Sequence, residues 1–339
     1  MIRSEKSSPV SFSQSFLKKK PNETVNDKLK ESAGHYRGCL LGLAAGDALG
    51  TTLEFKFPGT FKPITDIVGG GPFKLLPGQW TDHTSMALCL AESLVDCNGF
   101  NAEDQLKKYI KWYEEGYLSS TDECFDIGST TITALERYKQ TKKPFCGSPN
   151  SIPSNGSIMR LAPVPLFYAQ NPEEAIKKAK ESSLTTHGAQ ESIDACRYLA
   201  ALIVGAVNGA SKEELLSDHY SPVQDLWKKE PLTPKIDKIA SGSFKHKDPP
   251  QICGSGLAVQ SLEAALWALY KSSSFSEGAL LAVNLGDDAD TTGAVYGQLA
   301  GALYGDENIP KDWLSKITQK ELIEALAERI YELANSRDS

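Results

Sequence analysis

Two glycine ladders constrain this chain more than any other feature. Gly38, Gly42, Gly46 and Gly50 recur every fourth residue, and Gly293, Gly297, Gly301 and Gly305 repeat the spacing near the other end. Residues four apart share one face of an α-helix, so each ladder is a bare face that another backbone can approach closely. Each interior Gly costs about 0.5–1 kcal/mol relative to Ala, and packing must recover that loss. Both helices are therefore expected at the buried centre. If the two faces meet, residues 47–54 lie beside the acidic segment that opens the second ladder; if each face meets a different neighbour, they need not. Periodicity does not choose.

That acidic segment is Gly286-Asp287-Asp288-Ala289-Asp290-Thr291-Thr292-Gly293, with three carboxylates and two hydroxyls in eight residues. Oxygen donors this dense repel one another unless a cation sits among them, and they suit a hard ion such as Mg²⁺ or Mn²⁺. Asp and Thr also cap helix N-termini, but a cap needs one or two such residues.

Elsewhere the pattern is helical from Tyr36 onward. Spacing of apolar residues predicts helices at about 34–48, 84–97, 102–114, 128–139, 172–182, 189–208, 212–217, 256–271, 275–283, 291–304 and 319–335. Gly69-Gly70-Gly71-Pro72, Pro149, Pro153 and Pro249-Pro250 mark loops, and period-2 strand patterns are nearly absent. The expected fold is all-α: a flexible arm over residues 1–33, rich in Ser, Lys, Pro and Asn, then a single domain over 34–339.

Composition narrows the partners. With 36 basic and 43 acidic residues the net charge is -7, the wrong sign for bulk affinity to nucleic acid. Seven scattered cysteines without a Cys-x-x-Cys pair read as reduced core thiols. No apolar run approaches the length of a membrane span, and the expectation is a cytoplasmic monomer without a membrane partner.

Three further segments carry polar chemistry. Trp80-Thr81-Asp82-His83-Thr84 opens a helix, as an N-cap or as the opposite wall of a metal centre. Glu54 stands between apolar neighbours, either a surface charge or a buried ligand or proton acceptor. Ser154-Asn155-Gly156-Ser157-Ile158-Met159-Arg160 suits phosphate or ribose hydroxyls, with Arg160 contacting an anion or holding an ion pair. His187 opens another helix, by default as a cap or packed side chain. No Ser/His/Asp or Cys/His nucleophile arrangement is present.

Together these residues resemble the ADP-ribosylglycohydrolase family over about residues 35–335. The resemblance is carried by Gly46-Asp47-Ala48-Leu49-Gly50, Glu54-Phe55, Trp80-Thr81-Asp82, Asn155-Gly156-Ser157-Ile158-Met159-Arg160, Thr186-His187-Gly188, Gly254-Ser255-Gly256 and Asp288-Ala289-Asp290-Thr291. It implies a compact orthogonal multi-helix bundle with a binuclear Mg²⁺ or Mn²⁺ centre in a cleft. Thr81, Asp82, His83, Asp288, Asp290 and Thr291 would occupy the metal-ligand positions, with Asp290 bridging. Glu54, Asp82 and Asp290 would be catalytic. Gly128, Asn155, Gly156, Ser157, Met159, His187 and Leu257 would line the ADP-ribose site. The implied reaction is hydrolysis of the bond from C1″ of the distal ribose to an acceptor such as arginine or serine. An ADP-ribosylated protein, nucleic acid or small-molecule conjugate would be the substrate and ADP-ribose a product. The alternative is a non-catalytic ADP-ribose-binding or partner-binding protein on the same scaffold.

Two positions depart from the family pattern. A second Asp usually follows Thr-Asp, and here His83 replaces that hard anion with an imidazole, which Mn²⁺ accepts better than Mg²⁺. Leu257 stands where an aromatic often meets the adenine.

Overall fold

The computed structural model describes residues 27–336. The helices are α1 (Asp27–Gly50), α2 (Asp82–Asp96), α3 (Ala102–Glu115), α4 (Ser129–Thr141), α5 (Pro163–Phe167), α6 (Pro172–Leu184), α7 (Gln190–Val207) and α8 (Lys212–Leu215). They continue as α9 (Leu226–Lys229), α10 (Pro234–Ala240), α11 (Ala258–Lys271), α12 (Phe275–Val283), α13 (Ala289–Tyr304), α14 (Lys311–Lys316) and α15 (Lys320–Ser336). Among the described residues there are isolated β-bridges but no strand, so the fold is all-α.

Every helix expected from periodicity is present. The additional ones, α5, α9, α10 and α14, are too short for a periodic signal to develop. Most boundaries shift by a residue or two, and one moves further: α1 begins at Asp27, so residues 27–33, expected in the arm, belong to the helix, while residues 1–26 lie outside the described residues. Local chemistry sets other boundaries. The Asn101 side chain accepts from the N–H groups of Glu103 and Asp104 at 3.1 and 3.0 Å to start α3, and Gly116 ends it at φ 68°.

The two glycine faces meet each other. A Cβ added at Gly42 would lie 2.2 Å from the Gly297 carbonyl oxygen, and one at Gly46 would lie 2.0 Å from that of Gly293. Gly38 stands against Gly301 in the same way, so α1 and α13 run antiparallel with their backbones in contact. Gly305, the last rung of the expected ladder, lies beyond the helix as its C-terminal cap, at φ 76°. Helices α11, α12 and α7 pack on α13, while α15 and α2 pack on α1, and the pair is sheathed on all sides. All seven cysteines are free thiols, but the core holds Cys39, Cys89, Cys146 and Cys196 alone; Cys124 and Cys253 are half-buried and Cys97 is exposed. No helix among the described residues is long and apolar enough to cross a membrane.

Candidate functional site

Antiparallel pairing brings the end of α1 against the start of α13, and the loops at this end carry the acidic residues. Gly50 packs on the backbone of Ala289 and Asp290. Beyond it, the Phe55 N–H donates to the Asp287 carbonyl at 2.8 Å and the Asp287 N–H donates to that of Lys56 at 2.8 Å. This exchange fastens the Glu54 loop to the first turn of α13, and the Ala289 N–H donates to Glu54 Oε2 at 3.2 Å. Asp287 is thereby a backbone clasp beside the cluster.

A cavity of about 370 Å³ opens here, lined among others by Glu54, Asp82, His83, Asp126, Asp288, Asp290 and Thr291. No Lys or Arg lines it. Burial, then Asp290, Asp288 and Asp126, push the Glu54 carboxyl far above the usual range. Burial and the neighbouring carboxylates raise Asp82 to about 7 and Asp126 to about 9, and burial also raises Asp290. Burial is the largest cause of each shift and the crowding of like charges adds to it, while His83 opposes it at Asp82, Asp126 and Asp290. Asp290 Oδ1 accepts from the Thr291 N–H at 2.8 Å, while its Oδ2 is buried without a hydrogen-bond partner. An orphaned carboxylate oxygen among further carboxylates fits a divalent cation, and the ligand atoms of Glu54, Asp288 and Asp290 lie within 4.8 Å of one another.

The wall contributed by α2 is built on Asp47, a residue that stands in the Gly46-Asp47-Ala48-Leu49-Gly50 motif but takes no role from the sequence. Its side chain is wholly buried; Oδ1 accepts from the Thr81 N–H and hydroxyl at 3.0 and 2.8 Å, and Oδ2 from those of Thr84 at 3.0 and 2.6 Å. Burial favours the neutral acid, but His83 and these bonds outweigh it and hold the Asp47 carboxyl below its usual range. The His83 ring lies between the walls, Nδ1 2.5 Å from Thr81 Oγ1 and Nε2 2.8 Å from Thr291 Oγ1. Burial opposes a charge on that ring, yet Asp82, Asp290 and Asp47 together hold its pKa well above the ordinary histidine value. Thr81 is held between Asp47 and His83 and does not itself line the cavity.

The far wall carries most of the residues expected around ADP-ribose. Gly128, Asn155, Gly156, Met159 and His187 line the cavity; Ser157 and Leu257 do not. Ser157 is buried behind the wall, its Oγ accepting from Ser183 Oγ at 2.9 Å. Leu257 is 37% exposed and immediately precedes α11. Asn155 Nδ2 donates to Asp288 Oδ2 at 2.7 Å and to Ser261 Oγ at 2.9 Å, which orients the Asp288 carboxylate. Arg160 makes neither expected contact: buried, it donates to the Gly156 carbonyl at 2.9 Å and to Thr186 Oγ1 at 2.6 Å, with the Tyr109 ring 4.6 Å away.

That arginine fixes the state of His187. Thr186 Oγ1 accepts from Arg160, and His187 Nδ1 at 2.8 Å is the acceptor at hand for its own hydrogen, an arrangement that places the ring proton on Nε2. Burial and Arg160 lower its pKa to about 3, keeping it neutral. A Cβ at Gly156 would come within 2.8 Å of that Nε2, so glycine leaves the donor open.

At the mouth, Phe55, 62% exposed, begins an aromatic series with Phe73 at 6.5 Å and then Phe125 at 5.2 Å from it. Asp126 follows Phe125 at φ 59°, a carboxylate delivered by a strained turn whose sequence gives no sign of burial.

The sequence model of the ADP-ribosylglycohydrolase family matches residues 29–339. The ADP-ribosylarginine hydrolase Tri1 of Serratia proteamaculans is 42% identical over 309 residues, covering 91% of this chain and 82% of that protein. The ADP-ribosyl-dinitrogen reductase glycohydrolase of Rhodospirillum rubrum is 30% identical over 294 residues, covering 84% of this chain and 90% of that one. A solved structure described as an ADP-ribosylglycohydrolase-related protein complex superposes with a TM-score of 0.80 at 43% identity, covering 90% of this chain and 99% of the other. The family match runs through every segment that lines the cleft, and the chain belongs to the ADP-ribosylglycohydrolase family, as a glycosidic-bond hydrolase.

Proposed function

We propose that this hydrolase removes ADP-ribose from the guanidinium of a modified arginine, with a divalent cation held by Glu54, Asp288 and Asp290. The observation that carries the reading is the charge of the cleft: carboxylates line its floor without a Lys or Arg, and an aromatic ring stands at its mouth. An acceptor that is itself cationic and planar suits both features. The relative at 42% identity is named for the same linkage.

The remainder of the substrate is anionic and suits the opposite wall. Helix α4 opens with Ser129, Thr130 and Thr131 on the cavity and has no acidic residue in its first turn, so its free N–H groups and dipole favour a diphosphate. His187 Nε2–H and the glycine at 156 offer a donor and close backbone approach.

In the reaction, the bond from C1″ to the guanidine nitrogen breaks and water oxygen joins C1″. Glu54 takes a proton from the water, and the leaving nitrogen receives one from Asp82, whose raised pKa of about 7 suits exchange near neutrality. When bound, the cation would supply positive charge that ionises the carboxylates holding it, Glu54 among them, and would polarise an oxygen of substrate or water. Asn155 keeps Asp288 aligned throughout.

The test is release of free ADP-ribose from arginine-linked and serine-linked protein substrates, with Mg²⁺ or Mn²⁺ added. Release from the arginine substrate, absent in Glu54→Gln, is expected. Release only from the serine substrate would overturn the linkage, and release from neither would overturn the reading.

A further inference from the structure

We infer that the cleft takes a single divalent cation, at Glu54, Asp288 and Asp290, and that the His83 side chain closes the position beside it. The inference rests on the hydrolytic reading above and departs from the binuclear centre that the family resemblance implies.

Among the described residues, two groups near the cleft have acidic or histidine ligand atoms within 4.8 Å of one another: Glu54, Asp288 and Asp290, and Asp47, His83 and Asp290. They share Asp290, as the two halves of a dinuclear site would, but their other members are not equally free. In the first group all donors are carboxylates, and Asp290 Oδ2 is buried without a partner. Asn155 and the Ala289 N–H hold the other two carboxylates in place by one oxygen each.

In the second group every remaining donor is engaged. Asp47 accepts four hydrogen bonds, two on each oxygen, which fills the capacity of a carboxylate. The Thr81 hydroxyl donates to Asp47 Oδ1, so its contact with His83 must be one in which the ring donates. Nδ1 therefore carries a hydrogen and has no lone pair for a metal. The other nitrogen, Nε2, faces Thr291 Oγ1 at 2.8 Å. The two threonine hydroxyls, the neutral oxygens that a second ion would draw on, thus each hold a contact to the ring. A second ion would have to break a continuous bridge, Asp47 to Thr81 to His83 to Thr291, that ties the opening of α2 to that of α13. Asp82 belongs to neither group; its Oδ1 lies 3.6 Å from His83 Nε2, beyond hydrogen-bond distance.

The experiment is a Mn²⁺ titration of the full chain after chelation, counting bound ions by calorimetry and elemental analysis and recording the electron paramagnetic resonance spectrum. One Mn²⁺ per chain with the spectrum of an isolated ion is expected. Asp288→Asn should lose that ion, and His83→Asp, which trades the ring for a hard ligand, should bind two and show exchange coupling. Two ions or a coupled spectrum in the parent would overturn the inference, whether or not His83→Asp folds. If that parent also releases ADP-ribose from arginine, the hydrolytic reading survives. A parent that binds no Mn²⁺ overturns the inference as well, and one that also releases no ADP-ribose takes the hydrolytic reading with it.

Discussion

Gly46 and Gly293 face each other so closely that a Cβ on either would lie within 2.3 Å of the other's carbonyl oxygen. This contact places Glu54, eight residues along the chain from Gly46, within ligand distance of Asp290, so the packing of two bare helix faces also sets the geometry of the cleft.

Gly46→Ala is therefore expected to be among the most damaging single changes in the chain. The added methyl meets rigid backbone that cannot move aside, and overpacking of this kind costs roughly 3 kcal/mol or more. Urea denaturation should show that loss. Gly128→Ala is the control, because a Cβ there meets nothing within 4 Å, and its stability should stay within about 0.5 kcal/mol of the parent. Equal stability of the two variants would contradict the close approach of α1 and α13.

Asp47→Asn tests the wall that faces Glu54, Asp288 and Asp290. All four groups around Asp47 are donors, so an amide nitrogen must point two of its own hydrogens at them. Leaving buried donors unpaired, with His83 deprived of its partner, costs about 3 kcal/mol. For a chain of this size that lowers the melting temperature by roughly 4 °C. An unchanged melting curve would mean that Asp47 does not organise the opening of α2.

Most of this architecture was legible in the sequence, because amphipathic spacing and four-residue glycine repeats are local patterns with one structural solution each. The pairing of the ladders was not, since periodicity describes a face and says nothing about its partner. Asp288, Asp290 and Glu54 stood out by density or by apolar neighbours. Asp47 and Asp126 did not, because only tertiary packing brings them beside the other carboxylates. The same limit separates Asn155 and Ser157: both sit in one polar segment, yet one reaches the Asp288 carboxylate in the cleft and the other a buried serine.

His187 should make the fold sensitive to mild acid. Its pKa in the fold is about 3, below the unfolded value near 6.5, so the unfolded chain binds the proton more readily. Its contribution is intact above pH 6.5 and is lost progressively as pH falls toward 3. At pH 4.5 the two-unit gap corresponds to ~2.7 kcal/mol. His187→Gln removes the titration, so its unfolding free energy should fall less between pH 7 and 4.5 than that of the parent. Parallel pH profiles would show that the ring is protonated in the folded state.

Asp290→Asn separates the structural cost of the acidic floor from its use. Asp290 Oδ2 is buried, unpartnered and close to Glu54 and Asp288, so in a chelator its charge opposes folding. An amide keeps the oxygen that accepts from the Thr291 N–H and removes the charge. In EDTA the variant should be more stable than the parent by ~1–2 kcal/mol, the sign expected where a site is strained for function. Saturating Mn²⁺ should reverse the order: at a hundred times its dissociation constant a bound ion adds about 2.7 kcal/mol to the parent, and the variant, lacking the shared ligand, should gain little. Release of ADP-ribose should fall at least about 100-fold in the variant. A variant less stable than the parent in EDTA would show that Asp290 is satisfied without a cation, and a Mn²⁺ shift as large as the parent's would place the ion elsewhere.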